Sequence, residues 1–301
     1  MSAKNLSRRS FLERSALAAG ALALTPGAFS RANAAVKRTA VDQVTLGKTG
    51  IKLSRLGMGT GSGSGAIQRE LGREGFNKLV HYAYDQGITY IDCAAAYSTF
   101  DWIAGAIKGL PREKLFIQSK VQGNPTQVLQ EIDRHRKVFD TDYVDSLLIH
   151  CMINGTWTDG WKRVMDGFDE AKEKKWIRAK GVSCHSLPAL RAATTSDWTE
   201  VHLVRVNPQG NHMDGEEEAV WHEVGHEVQP VLTELQKMRA KGRGVIGMKI
   251  IGNGDFVNAE DREKSIRFAM SRPELDAIVI GFKSTGEVDE AIKRMNAALA
   301  A

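Results

Sequence analysis

From residue 55 onward the chain carries eight short, continuously apolar runs of β-forming residues. They are RLGMG (55–59), ITYID (88–92), LFIQSK (115–120), VDSLLIH (144–150), AKGVS (179–183), VHLVRV (201–206), GVIGMKI (244–250) and LDAIVIG (275–281). A strand with one wet face alternates apolar and polar residues, whereas a strand covered on both faces stays apolar. Stretches of helical period lie between the runs. In REGFNKLVHYAYDQ, Phe76, Leu79, Val80 and Ala83 share one stripe and Gly87 follows as a stop. The segments beginning at Thr126, Trp161, Pro188, Gln229, Glu260 and Glu287 behave alike, and the stretch near 101–108 is the weakest of the set. Eight strand–helix pairs over about 250 residues predict an α/β fold, a (β/α)8 TIM barrel. Ahead of it, VTLGKTGIKLS (44–54) has two short arms around Gly47-Lys48-Thr49-Gly50, which predicts an N-terminal β-hairpin at the barrel bottom. An open doubly wound sheet is the rival, since GMGTGSGSG (57–65) contains G-x-G-x-x-G registers. The long stretch before the first good helix favours a strand-to-helix connection instead.

Several of these apolar runs end on chemistry. Asp92 closes the second run, Lys120 the third and His150 the fourth, and Tyr97 lies five residues beyond Asp92. In a parallel barrel the C-terminal strand ends gather on one face, so four residues distant in sequence are expected to converge. Asp92 and Lys120 come from neighbouring strands, and pairing makes the burial of both tolerable. A lysine ammonium beside Tyr97 favours the phenolate, while burial opposes it. Should the charge prevail, Tyr97 becomes a general acid usable near neutral pH, with His150 orienting the substrate oxygen. A proton donor, an ion pair to tune it and a polar orienter suit reduction of a carbonyl.

The segments LGKTGIKLSRLGMGTG, YIDCAAAY, KLFIQSK, SLLIH, GVS and AIVIGFKSTGEVDEAI, in that order over residues 44–300, resemble the aldo-keto reductase superfamily. The resemblance implies a (β/α)8 barrel with an N-terminal hairpin. It also implies a catalytic tetrad of Asp92, Tyr97, Lys120 and His150. The implied reaction is hydride transfer between a nicotinamide cofactor and a small or sugar-like aldehyde or ketone, with Tyr97 moving the proton. NADP is the implied cofactor, with NAD as the alternative.

The same resemblance assigns cofactor contacts. Gly59, Thr60, Asp92 and Lys249 fall at strand ends of the mouth, and Ser183 matches a serine that holds the carboxamide. Cys184 stands where an asparagine is usual, and Arg205 falls near the place of a nicotinamide-contacting glutamine. Gly281, Lys283, Ser284 and Thr285 match the phosphate-gripping segment. Glu287 stands where many relatives place an arginine for the 2′-phosphate. A carboxylate there repels that phosphate and accepts from a ribose hydroxyl, so discrimination between NADPH and NADH is expected to be poor. No cysteine cluster follows the barrel, which sets aside an iron–sulfur variant. The chain reaches Ala301 without the long C-terminal loop that closes the pocket in some relatives, so an open, modestly selective site is expected.

Other features point elsewhere. HEVGH (222–226) matches the H-E-x-x-H zinc motif, with His222 and His226 as ligands and Glu223 activating water. Gly225 inside it, Pro230 close behind and the polar setting GEEEAVWHEVGHE favour a surface or lid segment, and no metal site is expected. Cys93, Cys151 and Cys184 each follow a candidate site residue. Adjacent strand residues point to opposite sides, so Cys93 and Cys151 are expected to face away from the mouth and to pack as small hydrophobes. Trp157 and Trp161 are candidates for a substrate wall or for anchors of their loop. A non-catalytic cofactor- or partner-binding barrel is the alternative to an enzyme.

The N-terminus reads as an address. Arg8–Arg9, then Phe11 and Leu12, precede an apolar run, Ala16–Leu24, and Ala32-Asn33-Ala34 offers a cleavage site. The run is about half the ~20 residues that span a bilayer. The pattern resembles a bacterial twin-arginine export signal, with Glu13 where a lysine is usual. Residues 1–34 are therefore expected to be a signal peptide, residues 35–301 the barrel domain, the export machinery a partner and the periplasm the destination. Export of a folded protein suits free cysteines and a cofactor loaded in the cytoplasm. Of 41 lysines and arginines and 36 acids, residues 1–34 hold five and one, leaving a balance of +1 elsewhere from a total of +5. That balance gives no electrostatic case for nucleic acid or an anionic membrane surface.

Overall fold

In the computed structural model, which describes residues 38–220 and 225–301, eight parallel strands close into a barrel. A two-stranded antiparallel hairpin, β1 (Gln43–Thr45) and β2 (Lys52–Ser54), precedes it. The barrel strands are β3 (Leu56–Gly59), β4 (Tyr90–Asp92), β5 (Phe116–Val121), β6 (Val144–Met152), β7 (Ile177–Cys184), β8 (Val201–Arg205), β9 (Gly244–Met248) and β10 (Ala277–Gly281). They pair in sequence order and β10 returns to β3. Each is followed by a helix: α1 (Gly72–Asp85), α2 (Ile103–Ile107), α3 (Val128–Phe139), α4 (Lys162–Glu173), α5 (Leu187–Thr195), α6 (Gln229–Ala240), α7 (Ala259–Met270) and α8 (Thr285–Leu299). No helix among the described residues is long and apolar enough to cross a membrane. The twin-arginine segment, residues 1–34, lies outside the described residues.

Strand alternation explains why the runs are apolar throughout. One set of positions fills the barrel: Tyr90, Phe116, Leu148, Ala179, Val201, Leu203, Ile246, Ala277 and Val279. The intervening set, including Ile91, Ile117, Leu147, Ile149, Val182, Val245 and Ile278, meets the helices. The hairpin closes the bottom, as expected, through Leu46, Ile51 and Leu53, which join the inner cluster. Burying each such leucine or isoleucine stabilises by roughly 1.5–3 kcal/mol. Gly47 makes that seat accessible. Its φ is +48°, and a Cβ there would lie 2.4 Å from the backbone of Arg243 and Gly244. Its N–H donates to Asp276 Oδ2 at 2.9 Å, and the same oxygen accepts from Val245 N–H at 3.0 Å. The weak stretch near 101–108 is a 3-10 turn, Phe100–Trp102, running into the short α2.

Candidate active site

The inward set continues past the apolar positions to the barrel mouth. On β4, Tyr90 is followed inward by Asp92, and on β5, Phe116 is followed by Gln118 and Lys120. On β6, Leu148 is followed by His150. All four polar residues are buried. The outward partners confirm the register: Ser119 Oγ lies 2.8 Å from His135 Nδ1 on α3.

Lys120 Nζ donates to Asp92 Oδ1 at 2.9 Å and Oδ2 at 2.7 Å, to the Cys93 carbonyl at 2.7 Å and to Tyr97 Oη at 3.3 Å. Gln118 Nε2 donates to the same Asp92 Oδ1 at 2.9 Å and to Tyr90 Oη at 2.8 Å. Lys120 has only donors, so Tyr97 Oη accepts from it and its own proton is left to point at a substrate. The His150 ring meets the Tyr97 ring edge-on, with centroids 5.7 Å apart. Three residues fix these groups from behind. Thr60 Oγ1 donates to the Asp92 carbonyl at 3.0 Å, and Thr99 Oγ1 to the Thr60 carbonyl at 2.8 Å. Gly61 lets the Tyr97 ring approach, since a Cβ on it would lie 2.3 Å from that ring.

Burial sets the protonation states. It pushes the Tyr97 phenol up to about 12, outweighing the downward pull of Lys120. The sequence left this contest open; the charge does not win it, so the lowered phenol is not what the fold presents, and Tyr97 is instead a donor that stays fully protonated at neutral pH. Burial alone would depress the Lys120 ammonium, but Asp92 and Tyr97 outweigh it and the net direction is upward. Burial, with the charges of Lys120 and Lys249, brings His150 down to about 3. At neutral pH the mouth therefore holds a phenol, an ammonium and an uncharged imidazole.

Asp92 and Tyr97 open onto a cavity of about 480 Å³ that runs to the ends of β9 and β10. Its walls are apolar at Ile250, Ile251, Phe256 and Phe282, and its rim carries Lys249, Lys283 and Glu287 together with Arg262 and Arg294, which share Glu290 at 2.8 Å each. Of the expected cofactor residues, Asp92, Lys249, Gly281, Lys283 and Glu287 line it. Lys249, at φ +60°, donates to Asn253 Oδ1 at 2.6 Å. Burial and the nearby Arg205 bring its ammonium down to about 8. Ser284 caps α8: its Oγ accepts from Glu287 N–H at 3.3 Å, while Glu287 Oε2 accepts from Lys283 N–H at 2.8 Å. This is a capping-box arrangement shifted by one residue at the acidic end. It holds a carboxylate beside a helix N-terminus that would otherwise favour anions. An apolar cleft with Lys249 and Lys283 at its rim fits a dinucleotide, with Glu287 as the one group at the α8 N-terminus that opposes an added phosphate.

Other expected residues lie differently. Thr60 is fully buried and holds the Asp92 backbone, and Gly59 ends β3. Ser183 faces inward and its Oγ accepts from Cys151 N–H at 3.0 Å. Cys184, the next residue, follows the alternation outward into the layer against the helices, where it is 1% exposed. Its side chain does not face the mouth, and His185 takes the inward place instead. Arg205 points inward but is fully buried. It pairs with Asp214 at 3.5 Å and donates to His185 Nδ1 and the Val220 carbonyl. The long connection after β8 covers it, so it does not line the cavity. Burial pushes Asp214 up to about 7 despite Arg205.

Cys93 packs outward as expected. Cys151 does not: its φ of +58° and a register shift between Ile149 and Met152 turn it back. Its Sγ lies 3.5 Å from His185 Nε2. Burial raises the Cys151 thiol to about 11. Trp157 is buried and its Nε1 donates to the Ala189 carbonyl at 3.1 Å, so it anchors its loop; Trp161 packs half-buried against the core. Of HEVGH, His222 and Glu223 lie outside the described residues, and His226 Nε2 lies 3.8 Å from Glu217. Among the described residues no group of three or more His, Cys, Asp or Glu is placed to hold a metal ion.

Two polar partners escaped the sequence reading. Gln118 shares Asp92 with Lys120, and Gln122 Oε1 lies 2.9 Å from His150 Nδ1. Both were findable, because 116, 118, 120 and 122 repeat at the strand period of two.

Residues 55–301 match the aldo/keto reductase family. A relative from Schizosaccharomyces pombe, an NAD/NADP-dependent indole-3-acetaldehyde reductase, is 29% identical over 43% of this chain and 48% of its own. A 9,11-endoperoxide prostaglandin H2 reductase from Trypanosoma cruzi is 30% identical over 40% of this chain and 43% of its own. The chain thus spans less than half the length of these curated relatives. The fold matches an aldo-keto reductase from Bacillus halodurans solved in its holo form. There the TM-score is 0.67 at 14% identity, over 87% of this chain and 97% of the other.

Proposed function

The chain belongs to the aldo/keto reductase family, and on that premise we propose that it reduces an aldehyde or ketone to an alcohol, or runs the reverse, with a nicotinamide cofactor. One observation carries the proposal: Tyr97 Oη accepts from Lys120 Nζ at 3.3 Å and so keeps its proton for a substrate oxygen. The cofactor, when bound, supplies a hydride to the carbonyl carbon. Tyr97 and His150 flank the place of the carbonyl oxygen. Tyr97 gives that oxygen a proton, and the ammonium of Lys120 stabilises the phenolate left behind. Asp92, itself held by Gln118, keeps Lys120 in place. The substrate class proposed is a small or sugar-like carbonyl compound. Incubating purified protein with NADPH and a panel of aldehydes tests the proposal: cofactor consumption matched by alcohol is expected, and cofactor binding without turnover would favour a non-catalytic barrel.

Both cofactors are supported, as in the name of the Schizosaccharomyces pombe relative. Lys283, Ser284 and Thr285 would grip phosphate beside the α8 N-terminus, while Glu287 opposes a 2′-phosphate. Glu287→Gln keeps a capping-box residue and removes the charge. NADPH affinity is expected to tighten by about tenfold, ~1.4 kcal/mol, while NADH affinity does not tighten and the melting temperature is unchanged. Fluorescence titration of each cofactor checks this, and equal tightening of both would refute the role of the charge.

We further propose, from the N-terminal sequence, export by the twin-arginine route to the periplasm. Arg8→Lys with Arg9→Lys is expected to leave the unprocessed chain in the cytoplasmic fraction; periplasmic, processed double variant would refute it.

A further inference from the structure

We propose that Gln122 is a positioning residue that sets which nitrogen of His150 carries its proton, and so whether His150 donates to or accepts from the substrate oxygen. This rests on the carbonyl-reductase reading above and adds a residue to it. Gln122 continues the inward register of Gln118 and Lys120 one step beyond the end of β5, onto the rim. There its Oε1 lies 2.9 Å from His150 Nδ1.

An uncharged imidazole has a single N–H. His150 is buried in a cluster whose titratable members are Tyr97, Lys120, Cys151, His185 and Lys249. The two lysine charges oppose a second proton on its ring. With the Gln122 amide oxygen toward Nδ1, the proton sits on Nδ1 and Nε2 offers a lone pair. With the amide turned over, its NH2 donates to Nδ1, and the imidazole then carries its proton on Nε2.

The reacting oxygen needs the same partner in both directions. A carbonyl oxygen only accepts, so it is held by Tyr97 O–H and by His150 Nε2–H. An alcohol must aim its one hydroxyl proton at the Tyr97 phenolate that takes it, and its oxygen is again free to accept from Nε2–H. A glutamine amide is shaped alike in both orientations and offers a donor or an acceptor. Turned over, it donates to Nδ1 and keeps the imidazole proton on Nε2, which a carboxylate at 122 could not do. The imidazole itself gives up no proton; the proton transferred comes from Tyr97.

The test is Gln122→Glu and Gln122→Met in the full-length protein. Nitrogen-15 spectra of the labelled histidines report the tautomer, with His150→Asn to assign the His150 signal. A carboxylate only accepts, so Gln122→Glu is expected to lock His150 in the Nδ1–H form. Aldehyde reduction should then fall about tenfold in kcat, ~1.4 kcal/mol, with cofactor affinity unchanged and alcohol oxidation falling in step, since one transition state serves both directions. The added carboxylate also raises the His150 pKa. Reduction by this variant should recover as pH falls and the imidazolium regains an Nε2–H, an acid limb absent from the parent. Gln122→Met should show a smaller loss and no such limb. Parent-like kcat, no acid limb and an unshifted His150 signal in Gln122→Glu would overturn the inference. If the parent reduced no aldehyde, the functional proposal would fail, yet the spectra would still decide the tautomer.

Discussion

Replacing Tyr97 with phenylalanine is expected to lower carbonyl reduction by about 10²–10⁴-fold, the usual worth of a positioned general acid. Cofactor affinity should barely change, because the ring and its edge contact with His150 remain. The parent enzyme supplies the complementary pH result. Its phenol titrates only at about 12, so the donor form is fully present through neutral and mildly alkaline pH. Reduction should therefore stay flat across that range. Oxidation of the alcohol needs the phenolate, whose fraction rises with pH toward that value, so the reverse rate should climb. A loss of reduction centred near neutrality that Tyr97→Phe abolished would contradict the assigned state.

Lys120→Met has the largest expected effect on the fold itself. Asp92 is 5% exposed and takes two bonds from Lys120 and one from Gln118. Removing the ammonium leaves a buried carboxylate with only an amide for company. Breaking one side of a buried pair costs about 3–5 kcal/mol, and urea unfolding should show a midpoint lowered by that energy divided by m, with m itself unchanged. Removing both charges, as in Lys120→Met with Asp92→Leu, leaves no charge to solvate. The double variant should be more stable than the Lys120 single variant. Costs that simply add would show that the two groups are not coupled. Both variants should be inactive, because neither retains an ammonium to stabilise the phenolate.

The barrel was legible because burial on both faces leaves a continuous apolar signature, and the site was legible because polar residues interrupt that signature at the strand ends. Asp92, Lys120 and His150 stand out for that reason. The same period of two pointed to Gln118 and Gln122, whose amides carry no charge to draw notice. Alternation failed where the backbone departs from it. Cys151 turns inward because its φ is +58° beside a register shift, and no residue type announces this. Arg205 was visible as a strand-end cation, but its cover was not. Asp214 and Val220 belong to a long connection without period, so only the folded chain brings them onto the guanidinium. The Tyr97 pKa was undecidable for a different reason, since burial and charge oppose each other there and their balance depends on depth.

The central claim is that the cleft from Asp92 to Lys283 places a hydride within reach of a carbonyl whose oxygen Tyr97 protonates. Transfer of label tests it most directly. Purified protein is incubated with NADPH carrying deuterium at the transferable position of the nicotinamide, together with a small aldehyde, and the product is analysed by mass spectrometry. The account predicts an alcohol with one deuterium on the carbinol carbon for each cofactor oxidised, and none formed by Tyr97→Phe on the same timescale. Alcohol without deuterium, or cofactor that binds and is never oxidised, would contradict it.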